Sequence, residues 1–505
     1  MKRLVTDYLR ETSARIPDKT AYVDKNRAVT FGELEREGES LSSFIMGENI
    51  VKSPVAVFLP KCAAAMSCFM GIALSANFAA PLDIHTPKGR LKKIFATLKP
   101  AAVITDEENI GAICDVAAEF GAKVYLFQDM IAFAADREKI ELRRRIIADT
   151  DPMYIFFTSG STGFPKGGVA SHHAVVNNAE WLAASFDLTE NDVFGNVSPL
   201  NFVLSTQDTV TPLKLGATVY LMEQTMFMFP AELLNFVRDK GITAAVWVPS
   251  VLMSVADSGL LADAENLPIR HLFFCGENMP VKQMNRWVKN LPHCRFTNIY
   301  TMTESGGTTI TYRNIDAPLP EGGVVPLGVP CHGNEIILLD ENDRPVPKGS
   351  IGELCLRSSS VGLGYYNDPV KSAAVFVQNP LETRFFDRIL RTGDLARVDE
   401  NGELVHVTRK DFQIKHNGQR IELGEIEAVA AACEKVTRVC CLYDEKRRQI
   451  ILFYIGSAEK KEILPLLREN LPPYMIPKRL MQLPEFPFTV NGKIDRMKLK
   501  ETLHK

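Results

Sequence analysis

The sequence lacks an excess of charge of either sign. Its 505 residues include 58 lysines and arginines against 61 aspartates and glutamates, for a formal net charge of −3. Proteins dedicated to nucleic acid usually carry a basic excess, so this balance argues against that class, although a local basic patch is compatible with it. Hydrophobic residues make up 46% and charged residues 24%, which is typical of a folded globular chain. The length predicts roughly two to four domains.

The sequence also lacks the cysteine patterns of metal sites. None of the ten cysteines forms a C-x-x-C pair, and no histidine cluster completes a zinc-binding spacing. The N-terminal segment MKRLVTDYLRETSARIPDKT is charged and lacks the apolar run of a secretory signal. Scattered cysteines without such a signal are typical of a reducing compartment, so we expect a cytoplasmic protein without a structural metal.

One stretch is long and uncharged enough to raise the question of a membrane. Residues 62–82 carry no charged side chain and are long enough to span a bilayer. The stretch is rich in alanine, however, and contains Ser67, Ser75, Asn77 and Pro81, which weaken insertion. We therefore predict a buried helix that runs into a strand, and no membrane insertion.

From residue 150 onwards the sequence alternates short β-rich runs with helical stretches. Buried strands are predicted at residues 154–157, 217–222, 244–248, 271–275 and 295–299. The last four runs recur about every 25 residues, the length of a strand plus a crossover helix, which predicts a parallel α/β sheet.

Beyond Pro320 the pattern changes to hairpin-like strands with turn signals. After Lys410, strands are predicted at 412–415, 439–443 and 450–455, and helices at 422–433 and 460–468. This arrangement predicts a small α+β unit with its boundary at residues 409–411. We therefore predict two domains, residues 1–410 and residues 411–505.

A glycine-rich segment follows the first predicted strand, where residues 158–167 read T-S-G-S-T-G-F-P-K-G. Backbone N–H groups and hydroxyls at the end of a strand are able to surround an anion. Gly160 and Gly163 permit close approach of the backbone, and Lys166 adds positive charge. The Walker spacing is absent, and two glycines and a lysine alone more often form a structural turn.

The whole ten-residue string resembles the phosphate loop of the adenylate-forming enzymes, which include acyl-CoA synthetases, luciferases, peptide-synthetase adenylation domains and D-alanine–carrier-protein ligases. Further segments resemble motifs of this superfamily in the expected order: 29–34 (VTFGEL), 80–83 (APLD), 298–304 (NIYTMTE), 352–354 with 364–365, 391–394 (RTGD), 409–415 (RKDFQIK), 418–427 (GQRIELGEIE) and 491–495 (NGKID). The resemblance covers nearly the whole chain. It is closest to stand-alone peptide-synthetase adenylation domains and D-alanine–carrier-protein ligases.

The resemblance implies both a fold and a reaction. The implied fold is α/β, with a large N-terminal domain of α/β layers plus a distorted β-barrel and a small mobile α+β C-terminal domain. The implied reaction is adenylation of a small carboxylic acid with ATP and Mg²⁺ and release of pyrophosphate. The acyl group then passes to the phosphopantetheine thiol of a separate carrier protein. Because the first step brings anions together, catalysis should rest on positioning and charge neutralisation.

The resemblance also assigns residues to the nucleotide. Thr303 is expected to bond the α-phosphate and Glu304 to bind Mg²⁺, since a hard cation is satisfied by one carboxylate plus phosphate oxygens. Asp394 is expected to accept both ribose hydroxyls, with Arg409 nearby. Taken singly, Glu304 is typical of a helix N-terminal carboxylate and Asp394 of a turn residue, so only the ordered set favours these roles. The phosphates are expected to contact Thr158, Ser159, Gly160, Ser161, Thr162, Gly163 and Lys166, and adenine to contact Asn298 and Tyr300.

Lys493 is the expected catalytic residue of the first step. It lies in the sequence N-G-K-I-D, where Asn-Gly predicts a tight turn. A single lysine near a C-terminus is normally solvated, but the resemblance implies that Lys493 bridges the substrate carboxylate and the α-phosphate as charge develops. The resemblance also implies that Asp411 is the hinge between the domains and that Gly418 lines the thiol tunnel.

The acyl pocket departs from the pattern of amino-acid-activating relatives. There an aspartate follows a phenylalanine and binds the substrate's α-ammonium group, whereas here Val203 follows Phe202. A buried ammonium without its carboxylate costs about 3–5 kcal/mol. We therefore predict that the substrate is an aryl, α-keto or aliphatic acid, or a non-standard amino acid whose amine lies elsewhere. Asp208 lies about 140° away around a helix and is a poor substitute, but a shift of the alignment by one or two residues is the alternative interpretation. By resemblance the other pocket positions are the mostly apolar Leu204, Gln207, Val246, Phe273, Cys275, Ile299, Gly307 and Thr308, with Gln207 and Thr308 as possible hydrogen-bond partners.

Other functions remain open from the sequence. An acid–CoA ligase shares the first step and differs in the thiol, and a D-alanine or amino-acid–carrier-protein ligase differs in the acid. A catalytically silent nucleotide-binding scaffold is a further alternative, against which Glu304, Asp394, Arg409 and Lys493 argue. No carrier domain follows Lys493, so the acceptor is expected to be a separate protein. Four histidines fit no catalytic triad and are interpreted as surface or packing residues: His172, His173, His406 and His416.

Overall fold

The structure is a computed structural model that describes residues 4–160, 163–411, 413–487 and 494–501. Within these residues the chain forms mixed layers of helices and sheets, so the predicted α/β class is confirmed. The strands are β1 (Thr20–Val23), β2 (Ala28–Thr30), β3 (Pro54–Phe58), β4 (Phe78–Pro81), β5 (Ala102–Thr105), β6 (Lys123–Leu126), β7 (Pro152–Thr158), β8 (Lys166–Ser171), β9 (Val193–Asn196), β10 (Thr218–Leu221), β11 (Ala244–Trp247), β12 (His271–Phe274), β13 (Arg295–Tyr300), β14 (Thr311–Ile315), β15 (Val329–Pro330), β16 (Asn334–Leu339), β17 (Gly352–Ser358), β18 (Phe376–Gln378), β19 (Arg388–Val398), β20 (Leu404–Arg409), β21 (Gln413–His416), β22 (Gln419–Glu422), β23 (Val436–Asp444), β24 (Gln449–Gly456) and β25 (Arg479–Gln482).

The α-helices lie between these strands for most of the chain, as expected where parallel strands need crossover connections. They are α1 (Val5–Arg15), α2 (Phe31–Gly47), α3 (Ala63–Leu74), α4 (Lys88–Leu98), α5 (Ile110–Glu119), α6 (Phe127–Ile131), α7 (Arg137–Arg144), α8 (His172–Ser185), α9 (Gln207–Leu215), α10 (Pro230–Asp239), α11 (Pro249–Asp257), α12 (Val281–Asn290), α13 (Pro369–Val375), α14 (Leu423–Ala431), α15 (Lys460–Asn470) and α16 (Arg496–Glu501).

The chain divides into two compact units. Unit 1 comprises Met1–Ile84, Leu98–Phe156 and Gly167–Lys410. Unit 2 comprises His85–Thr97, Phe157–Lys166 and Asp411–Lys505. Unit 2 therefore combines the C-terminal segment with most of helix α4 and with the glycine-rich segment.

A nine-stranded sheet in unit 1 carries four of the five strands predicted at residues 154–299, in the order β15-β14-β13-β12-β11-β9-β10-β1-β2. Strands β1, β9, β10, β11, β12 and β13 run parallel to one another. Strand β2 pairs with β1, and β14 pairs with β13, in the antiparallel direction. The prediction of parallel strands near 217–222, 244–248, 271–275 and 295–299 is thus confirmed. Alternation divides the side chains between two hydrophobic clusters, with Val246 and Phe273 in one and Trp247 and Phe274 in the other.

A second sheet of unit 1 has six strands in the order β6-β5-β3-β4-β7-β8. Here the prediction for residues 62–82 is confirmed, because α3 is buried along nearly its whole length and runs into the fully buried strand β4. A Cβ on Gly71 would lie 2.6 Å from Cδ2 of Leu41, so the glycine permits close contact between α3 and α2. None of the helices in the described part of the chain has the length and hydropathy needed to span a membrane.

The third sheet of unit 1 is antiparallel and contains the hairpin that positions part of the candidate site. Its order is β16-β17-β19-β18, and β20 pairs with the opposite end of β19. Asp394 on β19 lies directly opposite Arg409 on β20. The predicted change to hairpin-like strands after Pro320 is confirmed.

In unit 2 the C-terminal segment folds as a small α+β unit. Strands β23, β24 and β25 form one sheet, and α14 and α15 contribute apolar side chains to the same hydrophobic cluster as this sheet. Strands β21 and β22 form a separate hairpin. Its turn consists of Asn417 and Gly418, whose positive φ angles of 51° and 75° are those of a tight two-residue hairpin turn.

Candidate active site

The glycine loop, defined here as residues 158–166, follows strand β7 and depends on its two glycines. A Cβ on Gly160 would lie 2.0 Å from the carbonyl oxygen of Phe164, so no other residue fits there without a shift. Gly163 has a φ of 80°, and its N–H donates to the carbonyl oxygen of Gly160 at 3.0 Å. The hydroxyl of Thr158 donates to the carbonyl oxygen of Lys166 at 3.5 Å. Ser161 and Thr162 lie outside the described residues.

Polar groups of Ser159, Gly160 and Lys166 in the glycine loop contact the C-terminal segment of unit 2. The hydroxyl of Ser159 donates to the carbonyl oxygen of Arg420 at 2.9 Å and accepts from the N–H of Glu422 at 3.0 Å. The N–H of Gly160 donates to Oε2 of Glu425 at 3.2 Å. Nζ of Lys166 lies 3.5 Å from Oε1 of Glu422. The loop thus presents both backbone and side-chain donors, and carboxylates accept from them.

Strand β13 in unit 1 positions the residues expected near adenine. Side chains alternate along the strand, so Asn298 and Tyr300 share one face and Ile299 faces the other. All three are buried. The side-chain amide of Asn298 donates to the carbonyl oxygen of Pro326 at 2.8 Å, which fixes its orientation.

Thr303 and Glu304 follow β13 in a 3-10 turn, Thr303–Ser305. Glu304 is 1% exposed, and its Oε1 accepts a hydrogen bond from the hydroxyl of Tyr365 at 2.6 Å. A Cβ on Gly168 would lie 2.6 Å from Cγ2 of Thr303, and the N–H of Gly362 donates to the carbonyl oxygen of Glu304 at 3.0 Å. Glycines at these two positions allow the backbone to enclose the turn.

The surroundings of Glu304 fit one kind of metal site. Among the described residues, no group of three or more histidine, cysteine, aspartate or glutamate side chains could form a protein cage for a metal ion. Mg²⁺ is commonly held by one or two carboxylates together with substrate phosphates. The single oriented carboxylate of Glu304 fits such an ion.

Asp394 is the centre of a buried polar cluster in unit 1. NH1 of Arg409 lies 2.9 Å from Oδ1 of Asp394, and the hydroxyl of Tyr300 donates to Oδ2. Burial, followed by the negative charge of Asp394, raises the pKa of Tyr300 well above its ordinary value, so its hydroxyl stays protonated as a donor. The carboxylate of Asp394 is therefore held between the guanidinium of Arg409 and the neutral hydroxyl of Tyr300, the last residue of β13.

His406 also belongs to this cluster, which the sequence did not reveal. Its Nε2 lies 3.4 Å from Oδ1 of Asp394, and within the described residues its buried Nδ1 has no hydrogen-bond partner. We interpreted this histidine from the sequence as a surface or packing residue. Three residues before Arg409, it would face the other side of a regular strand, but the register shift between Leu395 and Ala396 pairs His406 with Ala396 and brings it to the side of Asp394.

The positions expected to form the acyl pocket converge on one face of the nine-stranded sheet. Val246 and Phe273 are register partners on adjacent parallel strands, and Cys275 and Ile299 lie two residues beyond the Phe273–Thr297 pair. Residues two apart share a face, so these side chains point the same way. All four belong to one hydrophobic cluster, which also contains Val203 and contacts the partly buried Leu204.

Val203, a member of this hydrophobic cluster, packs closely against Gly307. Phe202 precedes the 3-10 turn Val203–Thr206, in which Val203 is 7% exposed. A Cβ on Gly307 would lie 2.8 Å from Cγ2 of Val203, so the glycine makes room for the branched side chain. Its φ of 83° is also one that glycine adopts readily.

The two polar side chains expected in the pocket wall are engaged by the protein. The amide of Gln207 donates to the carbonyl oxygen of Gly307 at 2.7 Å and accepts from the amide of Asn178 at 2.7 Å. The hydroxyl of Thr308 donates to the carbonyl oxygen of Ala174 at 3.2 Å. A substrate that used these groups would have to replace existing bonds, so the wall is more apolar than its composition suggests.

Asp208 is fully buried, but it contacts a different part of the sheet. Its Oδ1 accepts from the amide of Asn196 at 2.6 Å, and Nζ of Lys61 donates to the carbonyl oxygen of Asn196 at 2.9 Å. Burial raises the pKa of Asp208 and lowers the pKa of Lys61, and the attraction between the two charges opposes both shifts. Asp208 therefore belongs to a buried polar group with Asn196 and Lys61 at the end of β9.

The expected hinge residue Asp411 and the expected tunnel residue Gly418 belong to the described part of the chain. Oδ1 of Asp411 accepts from the N–H of Gln413 at 3.2 Å, and Gly418 forms the hairpin turn described above. Lys493 lies outside the described residues.

Comparison with known proteins identifies the class. The AMP-binding enzyme family model matches residues 9–366, and the model of the AMP-binding enzyme C-terminal domain matches residues 425–493. The first match covers more than half of the chain. The chain therefore belongs to the AMP-binding enzyme family, whose members use ATP, as the sequence motifs predict.

Within this family the chain is similar to enzymes of peptide synthesis and carrier loading. It is 29% identical to zwittermicin A synthase ZmaJ of Bacillus cereus, over 98% of this chain and 94% of that protein. It is also 29% identical to the D-alanine–D-alanyl carrier protein ligase of Lactiplantibacillus plantarum, over 98% of both chains. The chain spans 39%, 38%, 38% and 44% of the lengths of four further curated relatives. It is thus an adenylate-forming ligase related to peptide-synthetase adenylation domains and carrier-protein ligases.

A solved structure supports the fold. The structure of holo-PA1221, a peptide-synthetase protein with adenylation and carrier domains, matches with a TM-score of 0.84 and 23% identity, over 99% of this chain and 84% of that one. A large N-terminal and a small C-terminal domain are the arrangement of that fold.

Proposed function

We propose that the chain adenylates a small carboxylic acid that lacks a conventional α-amino group and then transfers the acyl group to the phosphopantetheine thiol of a separate carrier protein. The observation that carries the adenylation step is the oriented pair of carboxylates associated with strand β13. Tyr300 on this strand donates to Asp394, and Glu304 follows four residues later and accepts from Tyr365. One carboxylate suits ribose hydroxyls and the other suits a phosphate-bound cation.

Each nucleotide contact has a distinct role in this proposal. Asp394 accepts hydrogen bonds from the ribose hydroxyls while Arg409 holds its orientation. Asn298 and Tyr300 bind the adenine, and Thr303 donates to the α-phosphate. The phosphates are held by the glycine loop, including Ser161 and Thr162, which lie outside the described residues.

Glu304 would hold Mg²⁺ against the phosphates, and the ion would supply charge neutralisation there. The residues of this chain then have to orient the acid for in-line attack on the α-phosphate. Lys493 supplies the second cation by bridging the acid carboxylate and the α-phosphate, with Asp411 as the hinge of a lid formed by residues 411–505. Positioning and charge neutralisation are sufficient for this chemistry, because the attacking carboxylate needs no general base.

The acid is proposed from the wall formed by Val203. A substrate α-ammonium in this position would face an aliphatic side chain that is 7% exposed, in a cluster that also contains Val246, Phe273 and Ile299. Burying that charge without a carboxylate costs about 3–5 kcal/mol. With Gln207 and Thr308 already bonded to the protein, an aryl, α-keto or aliphatic acid fits best.

The acceptor is proposed from the relatives. The ligase of Lactiplantibacillus plantarum is named for a D-alanyl carrier protein, and the chain covers nearly its whole length. A separate carrier protein is therefore the acceptor favoured here, with coenzyme A as the alternative thiol.

The test is pyrophosphate exchange with matched pairs of acids that differ only in the α-amino group. We expect exchange with the deamino member of a pair and little with the amino member. The adenylate of the accepted acid is then offered to coenzyme A and to a phosphopantetheinylated carrier protein. Preference for amino acids would contradict the pocket assignment, preference for coenzyme A would contradict the carrier, and background exchange across all acids would support a silent scaffold.

A further inference from the structure

We propose that Glu425 and Arg90 form a latch that closes the glycine loop to phosphate groups. The inference rests on the proposed function, because it concerns the ATP and pyrophosphate that the loop would hold. Both residues and the glycine loop belong to unit 2. In the structure the N–H of Gly160, a group suited to a phosphate oxygen, donates instead to the carboxylate of Glu425.

The carboxylate of Glu425 is bound from two sides. The N–H of Gly160 donates to its Oε2 at 3.2 Å, and the guanidinium of Arg90 forms an ion pair with its Oε1. The side chains of Arg90 and Glu425 are 5% and 1% exposed. A carboxylate oxygen on a backbone N–H of a glycine-rich turn has the same hydrogen-bonding chemistry as a phosphate oxygen in that position.

Neighbouring groups of the loop are engaged by the same C-terminal segment. Ser159 bonds the backbone of Arg420 and Glu422, and Lys166 lies 3.5 Å from the Glu422 carboxylate. Three loop positions expected to hold phosphates therefore contact residues 420–425.

The latch and a phosphate compete for the loop. The N–H of Gly160 has a single proton, so it cannot donate at full strength both to Glu425 and to a phosphate oxygen. A phosphate placed beside Glu425 would also bring two anions together in a buried setting, where they repel each other strongly. The loop must therefore release Glu425 before it holds ATP or pyrophosphate.

Stability alone does not account for the position of this charge pair. Buried ion pairs are often replaceable by apolar residues without loss of stability. This pair lies at the loop, and a second contact from helix α4 reaches the same loop, because Nζ of Lys93 donates to the carbonyl oxygen of Gly163 at 3.1 Å. Helix α4 and the first turn of α14 therefore hold the loop together.

The latch gives the loop a function after adenylation. In the reverse reaction a pyrophosphate oxygen attacks the α-phosphorus of the acyl-adenylate, the bond from phosphorus to the acyl oxygen breaks, and ATP and the free acid form. When Glu425 occupies the N–H of Gly160, pyrophosphate binds the loop more weakly and this reversal is suppressed. The adenylate is then left for the thiol.

The test measures binding of inorganic pyrophosphate with Mg²⁺ to the full chain by calorimetry, without acid or turnover. Glu425→Gln keeps an oxygen that accepts from Gly160 but removes the negative charge. We expect this variant to bind pyrophosphate about tenfold more tightly than the wild type, since a like-charge contact is removed. Glu434→Gln, which removes an exposed carboxylate of the same segment, should leave the affinity unchanged. Equal affinity of Glu425→Gln and the wild type would overturn the proposal.

A charge swap separates competition from a purely structural role. Arg90→Glu combined with Glu425→Arg retains opposite charges but places a cation beside Gly160. Competition predicts that the swapped protein binds pyrophosphate more tightly than the wild type. If the swapped protein keeps the wild-type melting temperature and also the wild-type affinity for pyrophosphate, the latch is contradicted. If the swap does not fold, Glu425→Gln alone decides. Because no step requires catalysis, an inactive wild type would refute the proposed function while leaving this comparison readable.

Discussion

Arg409 lies opposite Asp394 across the antiparallel ladder of β19 and β20, with NH1 of Arg409 2.9 Å from Oδ1 of Asp394. Both side chains are largely buried, at 11% and 4% exposure. These contacts hold the carboxylate in one orientation, which is the preorganisation that the proposed recognition of ribose hydroxyls requires.

Asp394→Asn should weaken ATP binding more than it slows the reaction of ATP once it is bound. The substitution replaces a charged acceptor, and hydrogen bonds to charged groups contribute about 1.5–3 kcal/mol, or roughly 10- to 150-fold in affinity. The KM for ATP in pyrophosphate exchange should rise accordingly. Glu400→Gln, in the exposed turn of the same hairpin, is the control. A variant with unchanged KM for ATP would show that Asp394 does not contact the nucleotide.

Tyr365→Phe should raise the Mg²⁺ requirement. The hydroxyl of Tyr365 donates to Oε1 of Glu304 at 2.6 Å and orients the proposed metal ligand. Losing such an orienting partner typically costs 10- to 100-fold in metal affinity or activity. Pyrophosphate exchange measured over a series of free Mg²⁺ concentrations checks this, and chelation should abolish exchange until Mg²⁺ is restored.

Tyr366→Phe is the matched control for this experiment, since it removes a hydroxyl from the adjacent residue. Its Mg²⁺ dependence should equal that of the wild type. If Tyr365→Phe also retains the wild-type Mg²⁺ dependence, Glu304 is not the metal ligand.

The sequence predicted those parts of the fold that local pattern determines. Strands β10 to β13 are apolar and evenly spaced, and they appear where the sequence placed them. Strands β3, β5 and β6 were not predicted, because apolar runs of four or five residues are ambiguous between strand and buried helix until neighbours are known.

For the candidate site, motifs predicted single residues but not their contacts. Tyr365 is 61 residues from Glu304, and Glu425 is 265 residues from Gly160, so their hydrogen bonds depend on tertiary structure. The sequence likewise gave no reason to bring His406 to Asp394. Long-range contacts of this kind are not encoded in any local pattern.

Acid should destabilise the protein partly through His172. Burial lowers the pKa of this histidine to about 4 from an ordinary value near 6.5, so the folded state binds fewer protons than the unfolded state between these values. The contribution of His172 to the free energy of unfolding is complete above pH 6.5 and is lost as the pH falls from 6.5 to about 4. Urea unfolding should show a loss on the order of 3 kcal/mol from this group over that range.

His172→Gln should flatten this pH dependence, because glutamine does not titrate and still offers an acceptor for the N–H of Val5. The more exposed neighbour His173 provides the control, and His173→Gln should leave the slope unchanged. An unaltered slope in His172→Gln would assign the acid sensitivity to other groups.

Lys493→Ala should separate the two half-reactions. Loss of the proposed bridging cation should lower adenylate formation by a factor on the order of 100 to 1,000, the effect of removing one preorganised charge-stabilising group. Thiol transfer from a supplied acyl-adenylate should be retained. Lys498→Ala, on helix α16, is the control. Equal loss of both half-reactions would contradict the assignment of Lys493 to the first step.

Val203→Asp should give activity with α-amino acids. The new carboxylate would lie beside Gly307 in the proposed pocket, where it pairs with a substrate ammonium and removes a penalty of about 3–5 kcal/mol. Pyrophosphate exchange with matched amino and deamino acids measures the change in preference. Val203→Asn has nearly the same size and no charge, so it should not produce the gain. If Val203→Asp folds and retains the wild-type substrate profile, Val203 does not contact the α-carbon of the substrate and the alternative alignment, with a different acid in that role, is correct.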